Sequence, residues 1–300
     1  MLFERVSSNK RKSIMLIVGF VLLLGALAAV VNLLIGYGWV GVVIALIVIG
    51  AWTLLSWFKS DKIALAVARA ERVDHTTAPQ LYNVVEGLSI AAGIPAPAVY
   101  IIRDDAPNAF ATGRNPEHAA VAVTTGLLAR MSRVELEGIM AHELSHITNR
   151  DTLVSTLTVT LVGVIVLVSD VTLRLLFFGG GRRRGGDDRG GGGGPAAVFA
   201  IVGIVLLVLA PVVAQLLQLA ISRRRESLAD VSAITLTRYP PGLISALEKL
   251  KADSTVVRAR SNAMAHLWIE SPIDRSKSRF SGLFDTHPPI DERIAILKEL

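Results

Sequence analysis

The chain has 300 residues, 52% of them hydrophobic and none of them cysteine, with a formal net charge of +6 and a mean hydropathy of +0.52. Disulfides and thiolate metal sites are thereby excluded, so any metal must be held by His, Asp or Glu. The apolar residues are gathered in blocks and the basic excess lies near the block ends, which suits the cytoplasmic face of a membrane and disfavours nucleic-acid binding.

A bilayer-spanning helix needs roughly 20 mostly apolar residues. Four blocks come close: Ile14 to Ile35, Trp39 to Phe58, Leu153 to Phe178 and Ala196 to Ile221. The first is too long for a cleavable signal and has no small-residue cleavage site before the next block, so it reads as a permanent anchor. Arg5, Lys10, Arg11 and Lys12 precede it, and Lys59 and Lys62 follow the second. The positive-inside rule then puts both ends of a first hairpin, residues 1–59, in the cytoplasm. Trp39, Trp52 and Trp57 lie at or near span ends, where indole rings favour the interface.

From residue 60 to 151 the composition is that of an α+β unit. Thr77-Ala78-Pro79 opens a helix running to Ala92, with Gly93 as its stop. Val99 to Ile102 and Ala119 to Val123 are short β-branched strands. Ser132-Arg133-Val134-Glu135 forms a capping box that starts a second helix. That helix carries His142-Glu143-Leu144-Ser145-His146, flanked by Arg130, Arg133, Glu135, Glu137, Asn149 and Arg150, so it lies outside the lipid.

A second membrane hairpin, 152–221, follows. Its two apolar blocks are joined by a Gly/Arg-rich linker, 179–195, which has no G-K-[ST] and reads as a flexible tether. Asp170 and Arg174 make its first arm the less secure span, so the hairpin either crosses the bilayer or dips into one leaflet. Its ends emerge on the same side in both cases. Residues 222–300 form the second part of the soluble unit. Helices are expected over Glu226 to Thr237, Leu243 to Leu250 and Ile290 to Leu300, with an irregular segment from Ser254 to Asp285.

Residues four apart on a helix share a face, so His142 and His146 can direct two imidazole nitrogens at one ion while Glu143 lies beside it. A catalytic zinc site uses three protein ligands and leaves the fourth position to water. No H-x-x-G-x-x-H continues the motif, so the third ligand is a distant carboxylate. Glu226 fits: it lies five residues beyond the fourth block, about 7 to 8 Å if helical, as His146 lies a similar distance before the third. Asp230, one turn on, is placed to accept the free ring N–H of a ligating histidine. Arg223, Arg224 and Arg225 read most simply as a membrane-edge cluster, with a contribution of one of them to the active site as the lesser alternative. His75, His118 and His266 lack metal-ligand spacing.

Four elements in order resemble the HtpX-like membrane zinc metalloproteases, relatives of the CaaX prenyl protease. They are Asn108-Ala109-Phe110-Ala111-Thr112-Gly113, the His142 to His146 motif, Glu226 with Asp230, and Thr286-His287-Pro288-Pro289 followed by Arg293-Ile294. The resemblance covers nearly the whole chain, though the basic linker is unusually long and the additional spans of the prenyl protease are missing. It implies a mostly helical α+β zincin-like (gluzincin) peptidase domain with a small sheet, combined with transmembrane helices.

It also implies roles: one Zn2+ per chain on His142, His146 and Glu226, Glu143 as catalytic base, and Asp230 as the supporting carboxylate. Asn108 to Gly113 would be the edge strand that holds an extended substrate, and His287 would steady the tetrahedral intermediate. Simpler readings stand beside the last two: a turn after Pro107, and a loop histidine before a helix.

The expected protein is a multi-pass endopeptidase of the cell (inner) membrane with its active site facing the cytoplasm, acting on misfolded or damaged membrane proteins. Two alternatives remain open. One is a processing protease for a single lipidated or signal-bearing substrate. The other is a silent membrane adaptor with a structural metal, which has no use for Glu143.

Overall fold

The computed structural model describes residues 38–156, 223–253, 255, 267–269 and 288–299, with scattered residues between 11 and 25. Both apolar blocks of the second hairpin, apart from the helical stretch 151–156, lie outside these residues, as do the Gly/Arg-rich linker, most of the segment from 254 to 285, and His287.

The first described helix, α1 (Gly38–Val67), is the one helix among the described residues that is long and apolar enough to cross a membrane. It does not stop at the charged Lys59 but runs on through Ser60, Asp61 and Lys62, since nothing there breaks a helix. It ends where Arg69 takes a left-handed φ of 54° and Ala70 donates its N–H to Leu65 O. Along most of its length large apolar side chains such as Val43, Ile47, Leu54 and Phe58 are exposed, while Ala64, Leu65 and Ala68 are buried.

Those buried residues rest on a four-stranded sheet. Its strands are β1 (Glu71–Arg72), β2 (Ala98–Ile102), β3 (Ala109–Gly113) and β4 (Ala119–Thr124), in the order β1-β2-β4-β3. β2 and β4 are parallel, whereas β3 runs antiparallel to β4 with Ala111 opposite Val121. Because strand side chains alternate in direction, the two faces separate cleanly. Phe110, Ala120 and Ala122 join Ala64, Leu65 and Ala68 of α1 on one face, and Ala109, Ala111, Val121 and Val123 join the main helical core on the other. A strand buried on both faces reads as an unbroken apolar run, which is what Ala119-Ala120-Val121-Ala122-Val123 is.

The helical layer begins with α2 (Pro79–Ala92), closed by Gly93 at φ 67°, and continues with the short α3 (Thr125–Arg130), capped by the Thr124 hydroxyl. α4 (Arg133–Thr148) is its centre. It touches α2, β3, α5 (Arg223–Thr237) and α6 (Pro240–Ala252), and α7 (Ile290–Lys298) packs on α5 and α6. α6 starts three residues before the expected Leu243, because Pro240 and Pro241 occupy its first turn, where no amide donor is needed. Gly138 of α4 lets α6 approach: a Cβ there would lie 2.8 Å from Leu243 N, a contact that only a backbone shift would relieve.

The expected capping box is present. Ser132 Oγ accepts from Glu135 N, and Glu135 Oε2 accepts from Ser132 N at 2.7 Å. The same carboxylate also accepts from Ser245 Oγ at 2.6 Å and Lys249 Nζ at 2.7 Å on α6, so one side chain both starts α4 and fastens it to its neighbour. Burial alone would raise the Glu135 pKa, but these donors from Lys249, Ser245 and Ser132 outweigh it and hold the group at about 2. A carboxylate with a depressed folded-state pKa stabilises the fold above its unfolded value and loses that contribution as pH falls through the folded one. Glu135→Gln is therefore expected to be less stable than the parent near neutral pH. The difference should vanish as the pH drops from 4.5 to about 2, read by denaturant melts across that range.

Candidate metal centre

α4 places His142 and His146 on one face, and α5 places Glu226 and Asp230, also four apart, on the face packed against it. Ala229 and Ala233, fully buried on α5, allow the two helices to lie close. His142 Nε2 and His146 Nε2 are 3.2 Å apart. Glu226 reaches the first with Oε2 at 3.6 Å and the second with Oε1 at 3.5 Å. Zinc bonds of about 2.0–2.1 Å at the tetrahedral angle separate neighbouring ligand atoms by roughly 3.3–3.4 Å, the spacing of the two histidine nitrogens; Glu226 meets them with different oxygens, and one donor atom from each of the three residues lies within 4.8 Å of the others, close enough to converge on one ion. Among the described residues these three form the group of His and carboxylate side chains able to hold a metal.

The outer contacts set the histidines for that task. His142 Nδ1 lies 2.9 Å from Asp230 Oδ1, and Arg293 of α7 grips the same carboxylate with Nε on Oδ2 at 2.9 Å and Nη2 on Oδ1 at 2.6 Å. Burial works against ionising Asp230, but the Arg293 guanidinium and the His142 ring outweigh it and hold its pKa at about 2. An ionised carboxylate can only accept, so His142 donates from Nδ1, which leaves Nε2 as the nitrogen that could face an ion. The 3.4 Å approach of Arg293 Nη2 to His142 Nδ1 is therefore two donors converging on one oxygen.

Electrostatically the centre calls for a cation. Burial and Arg293 both push the His142 pKa down, yet Asp230 and Glu226 raise it to about 9. His146 is raised as well: burial opposes it, and Glu226 and Asp151 override the burial. A divalent ion bound there would displace these protons, because histidine ligates in its neutral form. His142 is 1% exposed and His146 15%, so the centre opens on the His146 side.

Glu143, 2% exposed, sits beside the two histidines on α4, and the field of its carboxylate contributes to raising the Arg293 pKa. The segment from Asn108 contains the edge strand β3, which lies against α4. Asn108 O accepts from Thr124 N on β4, so by antiparallel alternation Ala109, Ala111 and Gly113 turn their backbone groups outward. The outward Ala109 O accepts from Ile269 N at 3.0 Å, and Gly113 N donates to Thr156 Oγ1 at 3.3 Å. Trp268, fully buried, packs edge-on against Phe110 with ring centroids 4.9 Å apart. The strand edge is thus occupied near both ends, with Ala111 between the two contacts.

Two residues near the centre carry no signal of that role in the sequence. Arg293 belongs to a motif that assigns it none. Asp151, with Oδ2 3.4 Å from His146 Nδ1, looked like the last residue before a span. Of the three arginines at 223–225, Arg225 is the one that fits the lesser alternative of a contribution to the site: it is 11% exposed with Nη1 3.9 Å from Asp151 Oδ1. The three consecutive arginines point about 100° apart on a helix, which leaves room for one of them to face the centre.

The family model described as "Peptidase family M48" matches residues 75–300. The chain is 48% identical to the "Protease HtpX homolog" of Streptococcus pneumoniae (strain Hungary19A-6), and 43% identical to that of Listeria monocytogenes serotype 4a (strain HCC23). In both cases 100% of each chain is covered. Among solved structures it is similar to the "Crystal Structure of S. mikatae Ste24p", with a TM-score of 0.51 at 17% identity over 98% of this chain and 67% of that one, a likeness of fold.

Proposed function

Because the chain belongs to peptidase family M48, we propose that it is a zinc-dependent, membrane-bound metalloendopeptidase that cleaves misfolded or damaged membrane proteins. The observation that carries this reading is the convergence of His142, His146 and Glu226, whose donor atoms lie within 4.8 Å of one another, with Glu143 buried next to them. A zinc ion held there would polarise the scissile carbonyl and lower the pKa of a water to about 7.

The chain's own residues supply the rest. Glu143 takes the proton of the attacking water and passes it to the leaving amine. Asp230, braced by Arg293, keeps His142 in the tautomer that leaves Nε2 free. An extended substrate adds to β3 through the outward backbone of Ala111, with neighbouring side chains from Asn108 to Gly113 lining its path. His287 is the residue proposed to stabilise the oxyanion.

Membrane anchoring is supported by α1, whose exposed apolar side chains suit lipid and whose end packs directly on the sheet bearing β3. A site tethered to the bilayer in this way favours chains that are themselves in the membrane, through effective concentration. Lys59 and Lys62 near the lipid edge support a cytoplasmic orientation.

The test measures zinc content and cleavage of an unfolded membrane protein by the full chain in detergent. The parent is expected to hold one zinc per chain and to cleave; chelation should stop cleavage and zinc should restore it. Glu226→Ala should lose both metal and activity. A parent that cleaves equally well when stripped of zinc, or a Glu226→Ala chain that keeps its zinc, would overturn the assignment.

A further inference from the structure

We infer that Asp151 and Arg225 form a positioning pair for His146, tying the second histidine and the glutamate ligand into one unit; this rests on the metal reading above. A straight continuation of α4 would carry residue 151 five positions past His146, about 140° around the helix and away from the ion-facing side. That does not happen, because Arg150 adopts a left-handed φ of 59°, donating its N–H to Ile147 O at 3.0 Å. The reversal returns Asp151 to the His146 ring, with Oδ2 3.4 Å from Nδ1.

A left-handed residue with a Cβ is disfavoured and persists where surrounding contacts over-determine it. Here the surrounding contacts are those of Asp151. Its second oxygen, Oδ1, faces Arg225 Nη1 at 3.9 Å, and Arg225 directly precedes Glu226 on α5. One carboxylate thus touches a ligand on α4 and the neighbour of a ligand on α5. The arrangement repeats on the other histidine, where Asp230 joins His142 to Arg293. Each imidazole presents Nε2 to Glu226 and turns Nδ1 to an aspartate backed by an arginine. Asp151 and Arg225 touch neither substrate nor reacting atoms and act through His146.

Partners of this kind, when removed, typically weaken metal binding 10- to 100-fold. In the full chain in detergent, with zinc affinity read by chelator competition, Asp151→Asn is expected to raise the zinc Kd by about that factor. The visible absorption of the cobalt-substituted variant should shift, because the ring of His146 changes its tilt. Arg225→Ala should weaken zinc as well, and Arg225→Lys should recover most of the loss, a rescue that mere space-filling would not give.

Asp151→Asn with a zinc Kd within twofold of the parent and an unchanged cobalt spectrum overturns the pair. Should Asp151→Asn fail to fold, the arginine series decides: equal affinity in Arg225→Ala and the parent overturns the pair, and loss with lysine rescue supports it. A parent that takes up no zinc overturns the metalloprotease reading and this inference together, whereas zinc binding indifferent to Asp151 and Arg225 overturns this inference alone.

Discussion

Glu143→Gln is expected to keep its zinc and lose peptide-bond cleavage. The substitution preserves shape and volume at a site only 2% exposed, so packing around α4 is unchanged. Glu143 is not in the group of His142, His146 and Glu226 that could hold a metal, since adjacent helical residues diverge by about 100° and cannot share the direction of His142. What the amide cannot do is accept a proton. Removing a general base costs about 10²- to 10⁴-fold in rate. The loss should fall on kcat, with KM little changed, because the proton moves only in the transition state. Steady-state kinetics beside elemental analysis provide the check. A variant that cleaves as fast as its parent would sink the mechanism, and one that loses zinc would move Glu143 into the ligand set.

The second large effect is expected at Arg293, whose guanidinium is 1% exposed and bidentate on Asp230. Arg293→Met fills similar space with an apolar chain and leaves Asp230 buried, with His142 as its remaining partner. Breaking a buried pair by removing one member typically destabilises by about 3–5 kcal/mol. The pH dependence carries a sign as well. Asp230, held at about 2 in the parent, contributes stability that is full above its ordinary 3.8 and is lost as pH falls through the folded value. Without Arg293 that pKa rises and the acid-dependent contribution shrinks or reverses. Denaturant melts of the metal-free protein near neutral pH should register the destabilisation, and Arg293→Lys, unable to match the two-oxygen grip, should recover only part of it. A loss below about 1 kcal/mol, the range of an exposed pair, would mean that Arg293 is not the brace of Asp230.

Why some of this centre was legible in the sequence and some was not follows from the range of each constraint. His142 and His146 are four apart on a helix whose start Ser132 and Glu135 announce, so local periodicity suffices. β4 stands out because a strand buried on both sides carries an unbroken apolar run, and β2 because Val99, Ile101 and Ile102 are β-branched. Glu226 is long-range, yet it was reachable because it and His146 lie at matching distances from apolar blocks. Asp151 defeats the same logic: regular helix geometry points it away from His146, and the left-handed turn that brings it back is made by Arg150, with no glycine to mark it. Arg225 was hidden by Arg223 and Arg224, since composition alone cannot say which of three adjacent arginines faces inward. Arg293 meets Asp230 across 63 residues without any repeat or spacing to link them. Ile269 approaches β3 by a backbone hydrogen bond, which leaves no trace in residue type.

The separation of 151 residues between His142 and Arg293 also orders events during synthesis. The helix bearing both histidines and Glu143 leaves the ribosome long before α7 is translated. In that interval Asp230, once made, has no guanidinium to hold it, and the His142 ring lacks a fixed tautomer. A nascent chain therefore carries the reactive groups of a protease without the brace that sets them. Asp230 and the His142 ring reach the arrangement described above only once residue 293 has been made and docked.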